Sequence, residues 1–489
     1  MAVSTLVALT LSACTVGPNY HPALTPPAAA GKFDAALQPV FDQSDSPSKW
    51  WRLYDDPVLD GLIAQAFVAN TDIRVATANL RRARAVLSEA RSARLPSTAV
   101  SASAQRQRYG GAQSAAALGQ AVGGSDPSAV RPSTFETDVY SVGFDATYEV
   151  DLFGRVRRLV EAARADTAAL AAARDSVRIS VAAETTRAYA DACSSARQLA
   201  VARNSLYLQG QTFDLTERLY TAGRGTPLDV ARARAQLETT RATLPGFVAN
   251  RQTALYRLAV LIGQPPEQIP AAAAACAMPP KLARPLPIGD AAALLKRRPD
   301  IREADRNLAA ETARIGVATA DLYPRITLGL SASTSAFKVG DLGSSSSFAF
   351  GLGPLLNWSF PNIAVARARI RQAEATTEGA LATFDGTVLA ALQDAESALA
   401  NFSGERDRNQ ALLAARQQSA EAARIVRLRY GAGAESFIDV LDAERVLANS
   451  DASLAASDAQ VITNQIAVFK ALGGGWEDAP EPLVPSRTN

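Results

Sequence analysis

Two stretches of this chain are too long to lie inside a globular core. Between Gly154 and Tyr220 there is no proline and one glycine, Gly210, and a second proline-free stretch runs from about Ile363 to Tyr430. As helices of ~65 residues, rising 1.5 Å per residue, each would reach roughly 100 Å. The abundance of alanine and the low aromatic content, 6%, suit long helices with small-residue seams. The seam of the second stretch reads Leu381, Phe384, Val388, Leu392, Ala395, Leu399 and Phe402, spaced three or four apart. Each long stretch is followed by a returning one. In the second, Val440, Leu447, Leu454, Val461 and Val468 form a strict heptad; in the first, Val230, Leu237, Leu244 and Leu258 hold the same phase, with Arg251 interrupting. Heptads mean coiled-coil packing, without saying what the helices enclose. Pro245 is expected to kink the first returning helix.

The chain is also duplicated. Asp72-Ile73-Arg74 recurs as Asp300-Ile301-Arg302, and Asn79 and Pro96 recur as Asn307 and Pro324, all 228 residues apart. Tyr220 to Val230 matches Tyr430 to Val440 at 210 residues, so the first half carries an insertion, assigned to the Gly-, Ala- and Ser-rich stretch Tyr109 to Pro132. A unit of this length is a duplicated domain half rather than a solenoid repeat. Each half reads helix, two strands, long helix, turn, helix. The first repeat is placed at 57–270, with strands near 97–106 and 141–151 and helices near 57–95, 154–221 and 227–262. After a linker at 271–290 comes the second repeat, 291–472, with strands near 325–334 and 347–356 and helices near 299–322, 362–431 and 437–471. A tail, 473–489, closes the chain.

The strands announce themselves by alternation. Phe144, Ala146, Tyr148 and Val150 alternate with Asp145, Thr147 and Glu149; Ile326, Leu328, Leu330 and Ala332 alternate with Thr327, Gly329, Ser331 and Ser333. Phe348, Phe350 and Leu352 do the same, and Val100, Ala102 and Ala104 more weakly. Period-two alternation gives each strand one apolar face, which meets either a protein core or lipid. No stretch of eighteen apolar residues exists, so no helix is available to span a membrane. Four strands cannot close a barrel, since the smallest membrane barrels use about eight, and open edges are forbidden in lipid. A membrane reading therefore requires several copies of the chain.

The N-terminus supports that reading. A largely apolar run, Ala2 to Leu11, leads into Leu11-Ser12-Ala13-Cys14, which resembles the lipobox of bacterial lipoproteins, although no Lys or Arg precedes the run. Residues 1–13 are read as a signal peptide, Cys14 as the lipidated residue, and 14–56 as anchor and extended segment. Thr15, in place of Asp, favours the outer membrane by resemblance to lipoprotein sorting.

Several classes are excluded. Fifty basic and 48 acidic residues give a net charge of +2, unlike a nucleic-acid binder. The single histidine, His21, argues against a metal site and against a histidine-dependent catalytic set. There is no GxGxxG, P-loop or HExxH motif, so neither an enzyme nor a cofactor is expected. Cys193 and Cys276 are read as two separate thiols, with a bridge between them left open as the alternative.

Three further stretches carry a resemblance: Tyr148-Glu-Val-Asp-Leu-Phe-Gly-Arg155, Arg297-Arg-Pro-Asp-Ile301 and Phe437-Ile-Asp-Val-Leu-Asp-Ala-Glu-Arg445. With their order and duplication, they resemble signatures of the TolC-like outer-membrane efflux proteins, especially the NodT-like lipoprotein branch. The resemblance implies a mainly α fold with a membrane β-barrel segment. Three chains would form a twelve-stranded barrel continuous with a twelve-helix coiled-coil periplasmic α-barrel. It implies a homotrimer in outer-membrane lipid, serving a periplasmic adaptor and an inner-membrane efflux pump as a passive exit duct for small compounds. A duct for secreted proteins and a lipid-anchored coiled-coil scaffold stay open as alternatives. It also implies a periplasmic gate at Ile438, Asp442 and Arg445, which share one helical face by their spacing. Arg232 stands where the second half has Asp442, so the first half offers no equivalent acidic ring. The duplicated Tyr-x-Ala-Gly turns, with Ala222, Gly223, Ala432 and Gly433, are the expected docking tips for the adaptor. Gly223 and Gly433 are expected to cap the long helices in a left-handed conformation, Gly154 to ease a strand-to-helix turn, and Pro299 to open a helix.

Overall fold

The computed structural model describes residues 15–23, 31, 33, 40–110, 134–282, 284–361 and 363–482. The leader, Cys14 and most of the Tyr109 to Pro132 insertion lie outside them.

A short strand, β1 (Phe41–Asp42), precedes the first half, which holds α1 (Pro57–Ala69), α2 (Thr71–Ser92), β2 (Ser97–Tyr109), β3 (Phe135–Val150), α3 (Arg155–Thr221) and α4 (Pro227–Leu261). A connection follows with α5 (Ala271–Ala274) and β4 (Leu286–Pro287). The second half holds α6 (Ala291–Arg297), α7 (Pro299–Ala320), β5 (Arg325–Ala336), β6 (Phe348–Asn357), α8 (Ile363–Gly431) and α9 (Phe437–Ala471). The chain divides into two compact units: one of residues Met1–His21, Arg84–Asp166 and Leu308–Gly379, the other of Pro22–Ala83, Thr167–Asn307 and Ala380–Asn489.

The first unit contains a four-stranded antiparallel sheet in the order β2-β3-β5-β6. Its register aligns apolar residues with apolar residues. Val100 pairs with Phe144, Phe144 with Ala332 and Ala332 with Phe350; the next row joins Ala146, Leu330 and Leu352. A slip of one residue would turn each row over to the polar face, so the alternation fixes the pairing. Among the described residues nothing covers this apolar face: Val100, Phe350 and Leu352 are each more than three-quarters exposed.

The second unit holds the main core. Phe384, Val388, Ala395, Leu399 and Phe402 of α8 pack with Val461, Ile466 and Phe469 of α9, with Tyr189 of α3, and with Leu59, Ile63 and Phe67 of α1. Both halves of the duplication thus build one core. The heptad positions Val440, Leu447, Val461 and Val468 are buried, and Leu454 is half-buried.

Several elements depart from the sequence reading. The helix placed at 57–95 is two helices. Asn70 leaves the helical conformation, and its side-chain oxygen accepts from the backbone N–H groups of Asp72 (2.9 Å) and Ile73 (3.3 Å), starting α2 afresh. The strands placed at 97–106 and 141–151 extend to Tyr109 and back to Phe135; the cross-strand Arg106–Glu136 pair continues the ladder beyond the apolar alternation. The 271–290 linker contributes β4, which pairs parallel with β1. Leu381 is 43% exposed and lies outside the seam, which begins at Phe384. Finally, Cys193 and Cys276 are joined in a disulfide, with Cα atoms 5.2 Å apart, instead of being separate thiols. The connection folds back on α3, where Ile269 and Ala274 pack against Ala192 and Leu255, and this brings together cysteines 83 residues apart.

Candidate functional site

The two turns that follow the long helices are built alike. Gly223 and Gly433 both have φ of 73°, the left-handed region open to glycine. Arg224 N–H donates to Leu219 O (2.8 Å) and Ala434 N–H to Arg429 O (2.9 Å), satisfying carbonyls that a helix end would leave bare. Ala222 and Ala432 are exposed, and a Cβ added at either glycine would meet open space. The helix α4 starts with a capping box between Thr226 and Asp229, and at the start of α9 the Ser436 hydroxyl bonds the Asp439 carboxylate. Burial first, and the neighbouring Asp229 second, raise the pKa of Tyr430 at the end of α8.

The first turns of α9 carry the gate candidates. Ile438 is 47% exposed, and Asp442 and Arg445 are exposed and joined as an i,i+3 ion pair. The structure therefore places the three side chains together on one open face. The opposite face, Phe437, Val440, Glu444 and Leu447, is buried. Glu444 is the residue that motif reading missed. Its carboxylate accepts from Thr212 Oγ1 of α3 (2.7 Å) and from Arg427 Nε of α8 (2.8 Å), so it ties α9 to both long helices. A carboxylate between Val440 and Leu447, on the packing face of the heptad, was the available signal. Its counterpart in the first half, Arg234, lies over the Phe213 ring instead, 5.3 Å from the centroid.

Where the sheet ends, the Tyr148–Arg155 stretch makes the turn from β3 into α3. Glu149 takes two hydrogen bonds from Arg155 (2.8 and 2.6 Å). Asp151 accepts from the N–H groups of Val156 (3.0 Å) and Arg157 (2.9 Å), meeting the bare donors of the helix start. Phe153 stacks on Tyr323 (4.5 Å between centroids), and Gly154 supplies φ of 79°. Trp358 and Phe360 also stack, and with Tyr323 they stand exposed at the same end of the sheet. Membrane barrels carry such aromatic residues at the lipid boundary.

The family model described as "Outer membrane efflux protein" matches this chain over residues 62–264 and again over 291–474. The chain belongs to that family. The two matched segments fall on the two halves of the duplication. Among curated proteins, the chain is 30% identical to outer membrane protein OprJ of Pseudomonas aeruginosa, over 98% of this chain and 96% of that protein. It is 29% identical to nodulation protein T of Rhizobium leguminosarum bv. trifolii, over 96% of each. Among solved structures it resembles the outer-membrane channel OprN, with a TM-score of 0.85 and 36% identity, covering 95% of this chain and all of that one. As an outer membrane efflux protein, the chain is a transport component of the outer membrane and not an enzyme.

For this efflux protein the Arg297–Ile301 stretch is structural. Arg297 pairs with Glu477 (2.8 Å). Arg298 is largely buried and donates to Ala471 O (2.9 Å), to Asp300 (2.7 Å) and to Asp394 (3.3 Å), tying the ends of α6 and α9 to the middle of α8. Pro299 opens α7, where its missing N–H leaves no bond unmade.

Proposed function

We propose that the chain is the exit duct of a tripartite efflux system, a homotrimer that passively conducts small compounds delivered by an inner-membrane pump through a periplasmic adaptor. The uncovered sheet carries this reading. It exposes apolar rows on one face, and β2 and β6 each pair on one side only among the described residues. In lipid an unpaired edge leaves N–H and C=O groups without partners, at several kcal/mol each. Pairing β6 of one copy with β2 of the next removes every edge once the ring closes, and three copies give twelve strands. A coiled-coil scaffold would have no use for such a sheet. Within the duct, Ile438, Asp442 and Arg445 form the periplasmic constriction, Ala222-Gly223 and Ala432-Gly433 meet the adaptor, and acyl groups on Cys14 anchor the trimer. The small-compound cargo follows from likeness to the efflux family.

Reconstitution of purified protein into planar bilayers tests the proposal. Discrete single-channel openings from a species that migrates as a trimer are expected. A protein that associates with lipid but never conducts, at any voltage or after gate mutation, overturns the duct.

A further inference from the structure

The foot of the sheet contains a second built site that conduction does not use. Residues 15–19 lie in it as a strap. Val16 N–H donates to Phe153 O (3.2 Å), and Thr15 Oγ1 accepts from Arg157 Nη1 (3.4 Å). The fit depends on three glycines. A Cβ on Gly17, whose φ is 86°, would lie 2.5 Å from Gly316 Cα; one on Gly154 would lie 2.7 Å from Thr15 Cγ2; one on Gly316 would lie 2.7 Å from Arg158 Cγ. Between them sits Arg158, its side chain only 3% exposed. Its Nε donates to Val16 O (3.2 Å), and its Nη2 donates to Gly17 O (3.1 Å) and Asn19 Oδ1 (2.8 Å). Its Nη1 pairs with Glu161 (2.9 Å). A guanidinium is buried only when its donors are met, and here the strap meets three of them. Strap and arginine therefore hold each other.

The place of the strap gives it a use. Gly154 ends the β3–α3 turn, at the end of the sheet where Tyr323, Trp358 and Phe360 mark the lipid boundary. Thr15 is the residue after Cys14, one peptide unit away, or ~3.8 Å between Cα atoms. An acyl group on Cys14 would thus have almost no leash. A lone acyl chain attaches only marginally; several chains, or one combined with a barrel, hold firmly. A fixed attachment point makes anchor and barrel enter the bilayer as one unit.

We infer that the three-glycine cleft around Arg158 is the seat of the chain's own N-terminus, and that Arg158 is the positioning residue that holds an acylated Cys14 at the bilayer boundary. The inference rests on the reading of Cys14 as acylated. The test uses full-length protein purified from membranes, as wild type, Arg158→Ala, Arg158→Lys and Asn19→Ala. Hydrogen exchange is followed in the peptide covering residues 15–20. Cells are also fed a photoreactive palmitate, and its cross-links from Cys14 are mapped by mass spectrometry. In wild type the cross-links should fall on peptides containing Tyr323 or Trp358 of the same chain. Arg158→Ala should speed strap exchange by about tenfold or more, as a loss of ~1.4 kcal/mol would, and scatter the cross-links, while exchange in β3 stays unchanged. Arg158→Lys, which keeps a buried donor, should retain part of the protection. Asn19→Ala removes one acceptor without touching the helix face and should give a smaller rise. Unchanged exchange in both Arg158→Ala and Asn19→Ala overturns the clasp. A wild-type protein with an unmodified Cys14 overturns the acylation reading, and the anchoring role with it, even where strap exchange responds.

Discussion

A carboxylate enters a helix interface only when its hydrogen bonds are supplied there. Glu444 meets that condition through Thr212 and Arg427, whereas Asp442, two residues away, faces outward with Arg445. The two acids should therefore respond differently to truncation. Glu444→Ala removes the acceptor of the part-exposed Arg427 and leaves the Thr212 hydroxyl only its longer bond to Leu208 O (3.3 Å), and should cost about 2 kcal/mol. Asp442→Ala breaks the exposed pair with Arg445, worth roughly 0–1 kcal/mol. Thermal unfolding of the two variants in the same detergent should show a clear midpoint drop for the first and little change for the second; equal drops would contradict this assignment. The Cys193–Cys276 bridge makes a second residue-scale prediction. Closing a long loop in the unfolded chain typically stabilises by about 2–4 kcal/mol, so Cys193→Ala or reduction should lower the midpoint by a comparable amount. Mass spectrometry of alkylated protein should find both thiols blocked before reduction; free thiols in the native protein would refute the bridge. The two features were not equally legible beforehand. The cysteines lie 83 residues apart and are joined by tertiary packing, whereas the heptad phase of Val440 and Leu447 already put Glu444 on the packing face and Asp442 off it.

At the scale of elements the sequence said much more, because period and punctuation are local. Alternation placed the apolar rows of the sheet, and the heptad Val440, Leu447, Leu454, Val461, Val468 marked a face that is buried at every position but Leu454, which is half-buried. What failed were the ends. Asn70 starts a new helix through a side-chain cap, for which Asn70-Thr71-Asp72 was the overlooked signal, and Leu381 is exposed although its spacing continues the seam. Two predictions belong here. At the tips, a Trp in place of Gly223 or Gly433 would add backbone strain of about 1–2 kcal/mol, because φ of 73° suits only glycine, and so would confuse docking with capping. Ala222→Trp and Ala432→Trp add the same bulk on exposed positions. Together they should abolish adaptor capture and export while leaving the oligomer intact; normal export would place docking elsewhere. At the gate, threefold symmetry would bring three copies of Ile438, Asp442 and Arg445 around one axis. Asp442→Ala with Arg445→Ala would remove the proposed charged ring, which would otherwise hold ions and slow their passage. Single-channel conductance should rise severalfold and large antibiotics should leak inward. An assembled double mutant with unchanged conductance would dismiss the gate.

For the whole molecule, the deciding quantity is the number of strands that closes the sheet. One chain supplies four, with β2 and β6 as edges. Head-to-tail pairing of edges is a heterologous contact, which closes only if the rotation between neighbours returns to the start. Two copies give eight strands and three give twelve, and both are sizes that membrane barrels adopt. The strand count alone does not choose between them; the proposed duct takes three. The duplication makes that choice economical. Each half contributes two strands and one long helix with its returning partner, so a trimer presents six near-equivalent units from a single sequence. Asp442 faces Arg232 in the comparison of halves, and Glu444 faces Arg234, so any constriction is threefold and not sixfold. Light scattering of the detergent-extracted protein should give a mass near three chains once bound detergent is subtracted. Cysteines introduced in pairs along β2 and β6, away from the native bridge, should cross-link only between chains and stop at trimers. Cross-linked ladders that end at dimers, or a conducting species of one chain, would overturn the trimer and the threefold gate together, and would leave the fold of the single chain as described.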